Sequence, residues 1–231
     1  MKALRSRILW LSLFGLAMGY FEASVVIYLR ALYYPDGFSF PIRLLDFSLE
    51  RDRLLFIVEI GREMASLFMM LAVAWLAERD GWRRFAAFCF LFGAWDIVYY
   101  AVLKMALGWP ASLADWDILF LIPVPWLGQV WQPVLVSVSL ITGALVIYFL
   151  LEKGHCIEAS RSLWALEVAA GLLVIFSFTW DWFAVAVEGN LRSQPMRLAL
   201  FWLGLAMGMA GLGWGVLNTL RYNVRRKETL P

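Results

Sequence analysis

Six stretches of this chain are apolar for about twenty residues or more, the length a helix needs to cross the hydrocarbon of a bilayer. Backbone N–H and C=O groups find no partner in lipid, so each stretch is forced into a helix. The sequence therefore reads as one all-α, polytopic integral membrane domain over residues 1–231. Its six transmembrane helices fall at about 8–30, 54–77, 84–107, 131–151, 163–187 and 196–219. Composition agrees, since 62% hydrophobic residues and 13 Trp lie outside the range of a soluble domain. The net charge of +2 is dispersed near helix ends and forms no nucleic-acid patch.

Those dispersed charges set the topology. Lys2, Arg5 and Arg7 precede helix 1, Arg79, Arg83 and Arg84 follow helix 2, Lys153 and Arg161 follow helix 4, and Arg221, Arg225, Arg226 and Lys227 end the chain. These twelve belong inside, against six on the other side: Arg30, Arg43, Arg51, Arg53, Arg192 and Arg197. The expectation is N-in/C-in in the cytoplasmic (inner) membrane. The first apolar stretch is too long for a signal peptide and lacks a small-x-small cleavage site, so it is expected to be retained as helix 1.

The two outer loops, 31–53 and 108–130, carry patterns of their own. Pro35, Asp36 and Gly37 are turn chemistry, and Pro41 to Arg53 interleaves apolar and charged residues as an interfacial amphipathic helix does. In the second loop the run ILFLIPVPW after Asp117 imitates a seventh span, but Pro110, Pro123, Pro125 and Pro133 interrupt the region. A seventh crossing would also put the basic tail outside. A short helix opened by Ser112 and capped with Asp115 is expected there, followed by a re-entrant or interfacial segment.

Against this apolar background the ionisable residues carry the information. Glu22, Glu59, Arg62, Glu63, Asp96 and Asp181, with Lys104 nearby, lie within the spans. Each costs about 2.5–3.5 kcal/mol at membrane depth, which argues for burial in protein and for use. Glu22 lies eight residues before Arg30, Asp96 eight before Lys104, and Asp181 seven before Glu188. At about 1.5 Å per residue each carboxylate sits about 12 Å below the outer helix end. Helix 2 enters from outside and brings Glu59, Arg62 and Glu63 into the same layer. Its residues Glu59, Arg62, Glu63 and Ser66 share one face, as do Asp96, Tyr99, Tyr100 and Lys104 on helix 3.

Five carboxylates against Arg62 and Lys104 leave an excess of three, which calls for protonated carboxyls or a bound cation. The simpler counterpart is packing alone: Arg62 paired with Glu59 or Glu63, and Lys104 with Asp96. An aromatic residue precedes each acid of the odd helices, namely Phe21, Trp95 and Trp180. Trp95, Trp116, Trp126, Trp180 and Trp182 belong to an outer aromatic collar above the carboxylates, with Tyr100 in the layer itself. Carboxylates beneath aromatic faces suit an organic cation or a quinol headgroup.

The sequence GLAMG occurs at 15–19 and at 204–208, and Gly208, Gly211 and Gly215 extend the second copy. The small-xxx-small faces Gly15/Gly19 and Gly204/Gly208/Gly211/Gly215 are expected to pack against neighbouring helices, a second copy or a membrane-protein partner. His155 is the single histidine, which excludes paired-histidine haem ligation and a histidine-rich zinc site within this chain. Cys89 and Cys156 form no disulfide or metal motif. No metal and no cofactor is expected in the chain itself, and a quinone is the cofactor class that the aromatic layer admits.

The fragment PVPWLGQVW, residues 123–131, resembles the proline- and tryptophan-rich stretch of the TspO translocator family, which binds porphyrins in a five-helix bundle. The resemblance covers this fragment and no second motif. Three functions fit the residues: proton- or cation-coupled transport of a small ligand, a non-catalytic membrane subunit of a larger respiratory or assembly complex, and an enzyme on a lipid-linked substrate. In the third, Asp96 or Asp181 is the general base and the segment from Gly108 to Pro133 a lid.

Overall fold

A computed structural model describes the backbone of residues 2–34, 50–188 and 195–228, and the side chains of 4–34, 50, 53–180 and 197–226. Six helices run in order, α1 (Lys2–Tyr33), α2 (Glu50–Ala77), α3 (Gly81–Leu107), α4 (Trp131–Glu152), α5 (Arg161–Glu188) and α6 (Pro195–Glu228). Five segments are long and apolar enough to cross a membrane: Leu4–Tyr33, Gly81–Leu107, Trp131–Glu152, Arg161–Trp180 and Arg197–Arg226. Helix α2, which carries Glu59, Arg62 and Glu63, is not among them. The amphipathic helix expected from Pro41 lies outside the described residues, except that Glu50 to Arg53 already belong to α2.

Local signals explain several ends. Asp80 caps α3 by accepting the Arg83 N–H at 2.9 Å, and Gly108 ends it at φ 66°, a left-handed conformation that costs glycine nothing. Pro195 opens α6, where its missing N–H leaves no bond unmade.

Between α3 and α4 the structure corrects the sequence reading. No helix starts at Ser112. Its hydroxyl donates to Asp115 at 3.0 Å while Asp115 accepts the Ala111 N–H at 2.7 Å, so the pair closes a turn instead of capping a helix. An antiparallel hairpin follows, β1 (Trp116–Phe120) paired with β2 (Trp126–Gln129). The register is Trp116 to Gln129, Asp117 to Gly128 and Ile118 to Leu127, with an irregularity before Phe120 meets Trp126. Pro123 and Pro125 lack N–H donors, so they serve the turn and not the ladder. Aromatic and branched residues on either side favour strands.

Helix α3 is the centre of the bundle and packs on α1, α2 and α4, while α5 and α6 pair with each other and meet the rest through β2 and α4. The glycine faces are filled within the chain. A Cβ on Gly19 would sit 2.8 Å from the Trp95 carbonyl oxygen, and one on Gly93 would sit 2.6 Å from that of Ser137. Gly204 likewise faces the Ala170 carbonyl, and Gly208, Gly211 and Gly215 face Glu167, Ala170 and Leu163 of α5.

At the end away from the hairpin, buried Glu78 accepts from the Tyr148 hydroxyl at 2.9 Å and pairs with Arg7 at 3.6 Å. Asn223 of α6 reaches both backbone groups of Cys156 at 3.0 Å and so ties α6 to the connection before α5.

Candidate functional site

The hairpin end of the bundle gathers the charged residues. Because Gly15 and Gly19 let α1 press on α3, the next turn of α1 brings Glu22 to α2, where it is 5% exposed. Arg62 of α2 bonds Glu22 through Nη1 and Glu59 through Nε, the latter at 2.8 Å. The Ser66 hydroxyl donates to the second Glu22 oxygen at 3.3 Å. Glu63, one turn from Glu59, does not join Arg62 in a close pair. Its carboxylate accepts the Leu121 N–H at 2.9 Å and so holds the end of β1 to α2.

A second cluster centres on Asp117 of β1, which is 2% exposed. Arg30 of α1 pairs with it at 3.3 Å, and the Tyr100 hydroxyl donates to its other oxygen at 3.2 Å. The Tyr99 hydroxyl and the Ile118 N–H complete its shell. Burial pushes the Asp117 carboxyl up to about 6, and Arg30 with these donors holds it from rising further. The Arg30 guanidinium also lies over the Trp109 ring at 3.7 Å. Tyr99 links the two clusters, standing within Coulombic reach of Asp117, Arg30, Glu22 and Arg62.

Asp96 is bonded by the Ser137 hydroxyl at 2.7 Å, across the α3–α4 seam that Gly93 opens. It lies within Coulombic reach of Asp117 and Tyr100. Lys104 is elsewhere. Its ammonium donates to the carbonyls of Gly108 at 3.2 Å and Pro110 at 2.6 Å, so it stabilises the end of α3 and does not neutralise Asp96. The side chains of Asp181 and Trp182 lie outside the described residues.

The collar tryptophans are divided among different jobs. Trp95 is buried in the α3 core against Phe92, and Trp180 packs edge-on to Phe176. Trp116 and Trp126 fasten the hairpin to the α5–α6 pair. Arg197 lies over Trp116 at 4.5 Å, and Trp126 stacks on Phe178 at 6.3 Å. Arg197, counted from the sequence as an outer-loop charge, is fully buried. It donates to Ser177 O at 3.2 Å, Leu127 O at 3.1 Å and Gln132 Oε1 at 2.6 Å. Arg30 was counted the same way and is 7% exposed.

Asp117, Arg30 and Arg197 are the site residues that the sequence reading passed over. A signal existed for the first: Trp116 precedes Asp117 just as Trp95 precedes Asp96. The apolar run around it concealed the pattern. Beside the hairpin turn, a groove of about 700 Å³ runs along α5, lined by Pro123, Val124, Leu172, Leu173, Phe176 and Thr179 among others. None of the carboxylates lines it. Among the described residues no group of His, Cys, Asp and Glu is placed to hold a metal ion.

No protein-family model, no curated protein and no solved structure matches this chain. The fragment 123–131 that resembles the TspO stretch forms the hairpin turn, β2 and the start of α4.

Proposed function

We propose that this is a six-span protein of the cytoplasmic membrane, with both termini inside and the hairpin end outside. In this reading it binds protons or a cation at the carboxylate layer and couples that binding to movement of a small ligand. Helix α2, at 28 residues, is long enough to be the sixth span. Its Arg62 and Glu63 are turned onto α1 and the hairpin. Arg30 and Arg197 are buried among protein groups, so the outer loops retain Arg43, Arg51, Arg53 and Arg192 and the inward bias of basic residues grows.

The observation that carries the reading is charge. Among the described residues, Glu22, Glu59, Glu63, Asp96 and Asp117 gather with only Arg30 and Arg62 as basic partners. Three carboxyls in a poorly solvated interior are then short of a counter-charge, and bound protons or a cation balance them. Tyr99 and Tyr100 connect the two clusters with groups able to pass hydrogen bonds.

The test is infrared spectroscopy and pH-jump proton uptake on the protein in nanodiscs, with Asp96→Asn and Glu22→Gln for comparison. Carboxylic C=O absorption near neutral pH that is lost in Asp96→Asn, together with proton movement in proteoliposomes, is expected. A layer fully ionised or silent from about pH 5 to pH 8, the range where proton-coupled groups work, overturns the reading. The apolar groove beside α5 favours the alternative, a non-catalytic complex subunit in contact with quinone, and also admits a lipid-linked substrate. Stoichiometric companion proteins found by mass spectrometry after gentle purification would select the subunit.

A further inference from the structure

The β1–β2 hairpin is a non-helical segment packed into the bundle, and side chains of α2, α4 and α6 hold its backbone. Glu63 of α2 takes the Leu121 N–H, Arg197 of α6 takes the Leu127 carbonyl, and Gln132 of α4 takes the Gln129 N–H at 3.0 Å. Gly128 is pressed to 3.2 Å from the Phe178 ring, measured from where a Cβ would stand. Backbone at membrane depth needs such partners. One anchor differs in kind. Asp117 is an acidic side chain of the hairpin itself, buried against α1 and α3, and undocking would return it to water.

We propose that the hairpin is a lid over the carboxylate layer, latched by Asp117, and that its docking is linked to proton uptake by that residue. The groups that face the latch are Arg30 of α1, Tyr99, Tyr100 and Asp96 of α3, and, through Tyr99, the Glu22–Arg62 pair. β2 presents Gly128 opposite Asp117 and no charge. The sign follows from burial. The docked carboxyl is raised to about 6, so the docked state binds the proton more tightly than a released Asp does. Docking is therefore strongest at low pH and weakens as pH rises through about 6. With an ordinary Asp near 3.9 in water, linkage makes docking about tenfold more favourable at about pH 5 than at about pH 7.5. The inference stands on the contacts of the hairpin and does not require that a ligand be transported.

Hydrogen exchange read by mass spectrometry on the full chain in nanodiscs tests it, with rates corrected for the intrinsic effect of pH. Peptides covering 116–130 should lose about tenfold protection between those two pH values, while α3 and α4 peptides keep theirs. Asp117→Asn should abolish the pH dependence. Tyr100→Phe removes a donor that favours the ionised form and should move the midpoint upward, a readout available even if Asp117→Asn fails to fold. Hairpin protection that is equal at both pH values, or a midpoint unmoved in Tyr100→Phe, overturns the latch. Proton-silent proteoliposomes with a pH-sensitive hairpin would instead remove the transport reading and leave the lid.

Discussion

Replacing Arg62 by Met keeps most of the side-chain length and removes the charge from between Glu22 and Glu59, whose side chains are 7% and 12% exposed. A carboxylate left without its partner in such a site keeps its desolvation cost with no Coulombic return. Ser66 still donates to Glu22, so the site keeps one donor. The expected loss at neutral pH is then about 3–5 kcal/mol, the range for breaking one side of a buried pair. Unfolding of the micelle-reconstituted protein by graded addition of a denaturing detergent, followed by tryptophan fluorescence, measures this. Adding Glu22→Gln to Arg62→Met should recover part of the stability. A loss below about 1 kcal/mol refutes the account, for it would mean that the pair is solvated like a surface one.

Two glycines of opposite setting offer a paired check. Gly93→Ala drives a methyl to 2.6 Å from a backbone oxygen of α4 and should cost about 1–3 kcal/mol, whereas Gly61→Ala meets nothing within 4 Å and should gain about 0.5–1 kcal/mol in the same unfolding assay. Lys104→Gln keeps a donor for the carbonyls that end α3, so stability should change by less than about 1 kcal/mol and the carboxyl infrared bands should be unaltered. A carboxyl band moved by that substitution would place Lys104 within the layer.

Much of the helical plan was legible because lipid leaves the backbone no alternative. Apolar length marked five of the helices and falls short for α2, and α1 and α6 extend to Lys2 and Glu228 through charged ends that the apolar count leaves out. Spacing by three put Arg62 beside Glu59, and that bond is present. Nothing in spacing could put Glu22 on the same guanidinium, since the pairing depends on which helices become neighbours. The glycine faces announced close approach but not the occupant, which proves to be α3 for one and α5 for the other. The hairpin was missed for a physical reason: a buried strand and a helix segment look alike in a short apolar run, and the turn signals of Ser112 and Asp115 also open helices. Lys104 was assigned by helical face alone, whereas eight residues beyond Asp96 it reaches the helix end and finds carbonyls there.

The hairpin also sorts the charged residues by necessity. Irregular backbone inside a bundle must be paired, and Glu63 and Arg197 each spend a bond on that requirement, at Leu121 and Leu127. Arg62 shares its single charge between Glu22 and Glu59, and Arg30 pairs with Asp117. Each of these acids would be retained by a protein that needed only a stable fold. Asp96 fits neither explanation. Among the described residues its hydrogen-bond partner is the Ser137 hydroxyl, a neutral group that an amide or a second hydroxyl could serve equally well. A carboxyl there brings a cost in desolvation and no backbone or guanidinium in return. Packing alone would favour Asn at this position. We therefore propose Asp96 as the carboxylate on which the proton-binding reading depends most.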